Sequence, residues 1–101
     1  MGIRFEVVKE NGKEIIRELH KVVVHVFNLG DVEDPELYAA QPIWEWQQTE
    51  AGKFIMENAV ETPSFKQHID FLNYGYKYAI IAELEKKKLS EFYLKFGKVN
   101  A

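Results

Sequence analysis

The clearest helical pattern in the chain runs from Pro42 to Val60. Its apolar side chains recur at spacings that place most of them on one stripe of a helix with 3.6 residues per turn. They are Ile43, Trp44, Ala51, Phe54, Ile55 and Ala59. Pro42 suits the first helical position, and Thr62-Pro63 marks a stop because the residue before a proline avoids the α region. The pattern therefore predicts one long central helix over about 42–60.

Two residues of this predicted helix stand apart from its apolar stripe. Gly52 costs about 1 kcal/mol relative to alanine inside a helix. Its presence predicts that another segment, such as a strand of the sheet, approaches the helix backbone closely at that point. Trp46 lies off the stripe, where it either widens the apolar face or contacts a partner, since tryptophan is enriched at interfaces.

The beginning of the chain has the pattern of a β-hairpin. The segment Ile3 to Val8 alternates apolar and charged side chains before it ends in two valines, and Asn11-Gly12 follows shortly afterwards. Asn-Gly favours a type I′ turn because both central positions of that turn need a positive φ. We predict strands at about 3–10 and from about 13 onward. A two-residue turn pairs opposite charges, which favours this register: Glu10 with Lys13, Lys9 with Glu14 and Glu6 with Arg17.

The segment Lys13 to Phe27 carries two conflicting signals. Six of its residues have helical spacing: Ile15, Ile16, Leu19, Val22, Val23 and Val26. Its second half is dense in β-branched residues, which favour strands, and the preceding Asn-Gly turn favours a strand as well. We therefore predict strand at 13–18 and at 20–28, as one long bent strand or as two. A helix over 12–26 is the alternative.

The connector from Asn28 to Gln41 contains one helix start. Asp34 is a suitable N-cap, and the proline and the acidic residue that follow it suit the first turn. This predicts a short helical turn over Pro35–Ala40 that leads into the central helix. Pro42 would then produce a kink or a break.

The last third of the chain has the pattern of a second hairpin. Pro63 to Asn73 alternates weakly, and Tyr76 to Glu85 reads as a strand with four apolar residues on one face: Tyr78, Ile80, Ala82 and Leu84. Lys86–Lys88 is a polar turn in this interpretation. Leu89 to Phe96 is then a further strand that places Phe92, Leu94 and Phe96 on one face, with Gly97 at its end.

Strands on both sides of one helix predict an α+β fold formed by a single domain, residues 1–101. We expect an antiparallel sheet of four to five strands with one long central helix (about 42–60) packed across it. The opposite face of the sheet would carry Tyr76, Ile81 and Tyr93. That face is apolar enough to favour a homodimer.

The composition excludes several kinds of site. The chain has no cysteine, so disulfides, thiolate catalysis and cysteine–zinc sites are ruled out. Its net charge of −3 gives no electrostatic argument for binding nucleic acid or an anionic membrane. No run of 18 apolar residues is present and the N-terminus lacks the apolar core of a signal peptide. We expect no membrane association, no nucleic-acid binding and a cytoplasmic location.

The candidate chemical groups form no recognisable motif. His20 and His25 are five residues apart, which places them on opposite faces of a strand rather than in a metal-binding pair. The loop from Asp31 to Glu36 is acidic and offers oxygen ligands for a hard cation, but it lacks the EF-hand pattern. We predict no catalytic group, no metal site and no cofactor.

One resemblance covers most of the chain, from about Val22 to Gly97. The runs GDVEDPELYAAQPIWEWQQTEAGKFIMENAVETP, NYGYKYAIIAEL and EFYLKFG resemble small uncharacterised proteins of large contractile-tailed bacteriophages, including those of marine cyanobacteria. The residues that carry the resemblance are Asp31, Glu33, Asp34, Pro35, Trp44, Trp46, Gln47, Glu50, Gly52, Tyr74, Gly75 and Tyr76. The resemblance implies no catalytic residue. It implies a small protein made in a bacterial cytoplasm during infection.

Two functional hypotheses follow. The preferred one is a non-enzymatic protein that acts by protein–protein interaction, with itself or with another protein, because no nucleophile, base and orienting group are arranged in a known pattern. Its candidate interaction surface consists of surplus aromatic residues: Trp46, Tyr76 and Tyr93. The alternative is a small enzyme or a ligand- or metal-binding domain. Its site would lie where the Asp31–Glu36 loop meets His25 or His68.

Overall fold

The computed structural model describes residues 2–72 and 75–98 and has an α+β architecture. The four strands and three helices in these residues are, in chain order, β1 (Ile3–Glu10), β2 (Lys13–Gly30), α1 (Pro35–Gln48), α2 (Glu50–Asn58), β3 (Ser64–Asp70), β4 (Gly75–Glu85) and α3 (Lys86–Phe96). The strands form one antiparallel sheet in the order β1-β2-β4-β3. The predicted fold class and antiparallel sheet are confirmed.

The first hairpin has the predicted turn and register. Asn11 and Gly12 both adopt a positive φ, of 53° and 76°, as a type I′ turn requires. Glu10 pairs with Lys13, and the same register continues to Ile3 and His20. The residues after the turn form one continuous strand, β2, so the alternative helix over 12–26 is wrong. Strand preference and the turn together outweigh the helical spacing of the apolar residues.

Strand β2 has two different partners along its length. Its first part, Lys13–His20, pairs with β1, and its second part, Leu19–Gly30, pairs with β4 on the opposite edge. The two pairings overlap only near Leu19 and His20. Residues 3–18 therefore form a two-stranded ribbon, the β1–β2 arm, that extends beyond the rest of the sheet. The molecule is accordingly elongated, with principal extents of 53 × 24 × 23 Å.

The predicted single central helix is wrong, because two helices occupy this part of the chain. Pro42 lies inside α1 without ending it, and the break falls at Thr49 instead. The Thr49 hydroxyl and amide both donate to the Trp46 carbonyl, at 2.6 and 3.0 Å. The same hydroxyl accepts from the Gly52 amide at 3.0 Å and so caps the start of α2. One threonine thus ends the first helix and begins the second.

Gly52 marks a close approach, as predicted, but the approaching segment is α1 rather than a strand. A Cβ atom at this position would lie 1.8 Å from the Trp46 carbonyl oxygen. Only glycine leaves room for the sharp turn between the two helices.

The predicted last strand, Leu89 to Phe96, is also wrong, because this segment is helix α3. Its lysines form the first turn of the helix rather than a hairpin turn. Phe92 is 1% exposed and Leu94 is 88% exposed, whereas a strand would have placed both on the same face. Buried Leu89 and Phe92 are three residues apart, and this helical spacing lets them pack on the sheet and on α2.

The helices contribute to one apolar core on a single face of the sheet. The predicted apolar face of β4, from Tyr78 to Leu84, is confirmed as buried. The core cluster consists of Val24, Trp46, Ile55, Ile80, Ala82, Leu84, Leu89 and Phe92. Among the described residues, no helix is long and apolar enough to cross a membrane.

Candidate interaction surface

The three aromatic residues predicted to form an interaction surface do not lie together. Trp46 is only 5% exposed and stacks on the His25 ring, with centroids 5.7 Å apart, so it belongs to the core. Tyr76 and Tyr93 are half-buried. Tyr76 lies at the start of β4 and Tyr93 on the helix that follows its far end, separated by about 30 Å of strand.

The predicted apolar face with Tyr76, Ile81 and Tyr93 is also corrected. Tyr76 and Ile81 differ by an odd number of positions, so they lie on opposite faces of β4. Tyr93 is on α3, where its ring packs against Phe92 at 6.1 Å. These three residues therefore do not form the shared apolar face that was expected to favour a homodimer.

The exposed tryptophan is Trp44 rather than Trp46. Trp44 is 61% exposed, although the sequence placed it on the buried stripe. The break at Thr49 explains the exchange, because the predicted stripe combines residues of two separate helices. Leu37, seven residues before Trp44, is also exposed and lies on the same side of α1, and Tyr38 is exposed beside Leu37.

An extended apolar surface lies on the β1–β2 arm. Val7 pairs with Ile16, and Ile3 and Phe5 lie on the same face of β1 as Val7. These four side chains are between 58 and 69% exposed, so no helix covers them. We call this set, Ile3, Phe5, Val7 and Ile16, the arm strip. Sequence analysis predicted its pairing but did not identify it as a surface. The missing information was that β4 does not extend along this part of β2, which pairs with β1 alone.

The opposite face of the arm carries a charged network. Arg4 donates from Nε and Nη2 to the Glu83 carboxylate, at 2.8 and 2.7 Å. Glu6 lies 3.4 Å from Arg4 and 3.3 Å from Arg17, and Arg17 reaches Glu85 at 2.7 Å. The network therefore joins β1, β2 and β4.

Electrostatic interactions and burial tie this network to the body of the molecule. The hydrogen bond from Arg4 holds the pKa of Glu83 below its usual value, and the same bond raises the pKa of Arg4. Leu19, which pairs with Arg4 on one side and Glu85 on the other, is fully buried between these groups. The base of the arm is thus held in place by both charge pairing and apolar burial.

The groups proposed for an enzymatic or ligand site do not converge. The acidic loop, with Leu37 and Tyr38, lines a depression of about 510 Å³. His25 faces Trp46 in the core, where burial lowers its pKa, and His68 is exposed on β3 opposite Lys77. In the described part of the chain, no group of three or more His, Asp or Glu residues is placed to hold a metal ion.

Comparison with known proteins adds no relative. The chain matches no protein-family model, no curated protein and no solved structure. The geometry therefore has to be interpreted on its own. Apolar side chains are exposed on the arm strip, on α1 and along and just after β3, where Ile69, Phe71 and Leu72 lie. Among the described residues no set of catalytic groups converges.

Proposed function

We propose that this chain is a small accessory protein that acts by protein–protein interaction, with the β1–β2 arm as its contact element. The observation that carries the proposal is the arm strip, four large exposed apolar side chains on one face of a projecting ribbon. A row of exposed apolar side chains of this kind marks an interaction site more often than isolated exposed residues do.

The construction of the arm supports this function. A two-stranded hairpin is only marginally stable in water by itself. Here the charged network fastens one face of the ribbon to β4 and leaves the arm strip open. The anchored arm needs little ordering when it binds, which lowers the entropic cost of association.

We place this activity in the bacterial cytoplasm during infection by a contractile-tailed bacteriophage. The resemblance over about 22–97 to small proteins of such phages supports this setting. The partner is then either another protein or a second copy of this chain. The proposal involves neither nucleic acid nor a membrane.

A matched pair of double variants tests the proposal. Val7→Thr/Ile16→Thr removes one cross-strand apolar pair from the arm strip and keeps β-branched side chains. Lys9→Thr/Glu14→Thr changes the next pair on the same face and is the control. Each variant is immobilised, and the proteins that it retains from a bacterial lysate, together with added untagged copies of the chain, are quantified by mass spectrometry.

The two variants should behave differently. We expect the control to retain what the wild type retains and the arm-strip variant to lose bound protein by about tenfold or more, as for residues at the centre of an interface. Circular dichroism checks that both variants stay folded. Equal retention by the two folded variants would refute the proposed function.

A further inference from the structure

Strand β1 forms one edge of the sheet, and no described strand lies beside its outer backbone groups. The Lys21 amide donates to the Gly2 carbonyl at 2.8 Å, in the same register that pairs Ile3 with His20. Hydrogen-bonded and non-hydrogen-bonded pairs alternate in an antiparallel ladder. The even-numbered residues of β1 therefore bond to β2. The odd-numbered residues, Phe5 and Val7 among them, direct their N–H and C=O groups outward.

The outer edge of β1 is complementary to a second copy of itself. When two copies run antiparallel about a two-fold axis at Phe5, Ile3 meets Val7 and Phe5 meets its own copy. All of these are outward-facing positions, so each pair exchanges both of its backbone hydrogen bonds. Arg4 then lies directly opposite Glu6 of the partner in the closer, non-hydrogen-bonded type of pair, where opposite charges stabilise pairing.

Neighbouring registers lack this complementarity. An axis at Arg4 places two arginines opposite each other, and an axis at Glu6 does the same with two glutamates. Like charges directly opposite each other are destabilising. An axis at Val7 places Phe5 against Lys9 and separates the apolar side chains. The charges and the apolar side chains of β1 together favour the register centred on Phe5.

We propose that the partner of the arm is a second copy of this chain, joined by antiparallel pairing of the two β1 edges about Phe5. This inference rests on the proposed function, because it names the partner of the same arm. The two sheets become one, with the strand order β3-β4-β2-β1 followed by the same order reversed. The interface is isologous, so it closes as a dimer.

The pairing also accounts for the arm strip. Directly opposite residues of an antiparallel pair share a face, so the two arm strips lie side by side. The facing sides of Ile3, Phe5 and Val7 become buried from solvent. The edge of β1, which would otherwise favour uncontrolled association, becomes hydrogen-bonded to the second copy. Arg4 keeps its bond to Glu83 through Nε and Nη2, while Nη1, 3.4 Å from its own Glu6, reaches toward the partner's Glu6.

The first test compares Val7→Pro with Val7→Ala by light scattering after size exclusion. The proline removes an outward N–H and leaves the bonds between β1 and β2 intact, and proline is tolerated on an edge strand in this orientation. We expect the wild type to have twice the chain mass of 11.8 kDa. Val7→Ala, which loses one apolar side chain of the arm strip, should weaken dimerisation by about tenfold, and Val7→Pro, which also loses the backbone bond, by about 100-fold or more.

A second test uses single cysteines, since the chain has none of its own. Phe5→Cys places two cysteines opposite each other at a Cα separation of about 5.5 Å, within disulfide range. Val7→Cys and Lys9→Cys are controls on the same edge and face. In the dimer the two cysteines of each control variant would lie about 13 and 27 Å apart along the strands. Under mild oxidation, only Phe5→Cys should form a covalent dimer in good yield.

The outcomes separate this inference from the proposed function. A wild type that stays monomeric up to about 1 mM, a weak limit for association, would overturn the β1 pairing. So would a dimer that Val7→Pro leaves intact or that cross-links best through Val7→Cys. None of these results refutes binding of another protein by the arm. That function fails only if Val7→Thr/Ile16→Thr retains every partner that the control retains.

Discussion

Arg4 and Glu83 form a two-point ion pair across an intervening strand, although they are 79 residues apart in the sequence. The guanidinium donates through Nε and Nη2 at 2.8 and 2.7 Å, and the Glu83 side chain is only 11% exposed. Strand β2 lies between the two strands that carry them. This pair joins β1 to β4 at the base of the arm, on the face opposite the arm strip.

The first prediction concerns this pair in acid. Because Arg4 lowers the pKa of Glu83 below 4.5 in the folded state, the ionised pair stabilises the fold above that pH. This contribution is lost as the pH falls through the lowered pKa, since the unfolded chain takes up the proton first. Glu83→Gln should therefore destabilise the protein at pH 7, and the difference from the wild type should shrink below pH 4.5. Urea unfolding of both proteins at several pH values measures this difference in the free energy of unfolding.

The control for this measurement is Glu14→Gln, which removes a carboxylate at the exposed tip of the arm. Its effect on the free energy of unfolding should be small at every pH, as is usual for exposed charges. A Glu83→Gln variant with the same flat profile would contradict the account.

The second prediction concerns His25. Burial lowers its pKa from 6.5, so the folded state disfavours the charged imidazole. As the pH falls through 6.5, the unfolded chain binds the proton first and the wild type loses stability. His25→Gln should remove this loss between pH 7 and 5 while costing about 1 kcal/mol at pH 7 through the lost stacking on Trp46. His68→Gln, at an exposed position, should keep the wild-type slope.

The third prediction reverses the usual effect of replacing glycine in a helix. Gly→Ala normally stabilises a helix interior by about 1 kcal/mol. At Gly52 the added Cβ would collide with the Trp46 carbonyl oxygen, so we expect Gly52→Ala to destabilise the protein by about 2 kcal/mol. Glu57→Ala, exposed on the same helix, should change the free energy of unfolding by less than about 0.5 kcal/mol. A stabilised Gly52→Ala variant would rule out the turn at Thr49.

The fourth prediction distinguishes helix α3 from the strand expected there. In the helix Phe92 packs in the core and Leu94 faces solvent, whereas a strand would place them on one face. Phe92→Ala should cost about 3 kcal/mol or more, and Leu94→Ala less than about 0.5 kcal/mol. Comparable losses from the two variants in chemical denaturation would indicate the strand.

Local signals predicted the first hairpin correctly. Asn11-Gly12 specifies a type I′ turn because few other residues adopt the required positive φ. The opposite charges on the two strands favour the same register. The alternation of residue types in β4 was also sufficient to predict that strand and its buried face, since successive residues of a half-buried strand lie on opposite faces. Both features depend on residues close together in the chain.

The errors arose where distant contacts decide the structure. Thr49 ends α1 through its bonds to Trp46. A threonine within a helical pattern is a weak stop signal, whereas a proline such as Pro42 is a strong one. The error exchanged the exposure of Trp44 and Trp46. For Leu89–Phe96 both periods fit the apolar residues, and packing against α2 and the sheet selected the helix. The arm strip became recognisable only once the pairing of β2 with β4 was known.

Amide hydrogen exchange of Phe5 and Val7 tests the central claim most directly. Both N–H groups face outward from β1, whereas those of Glu6 and Val8 bond to β2 whether or not a partner is present. We predict that Phe5 and Val7 are protected in concentrated protein and lose protection on dilution, while Glu6 and Val8 remain unchanged. If Phe5 and Val7 exchange at the rate of a free peptide at every concentration, the arm does not pair through β1.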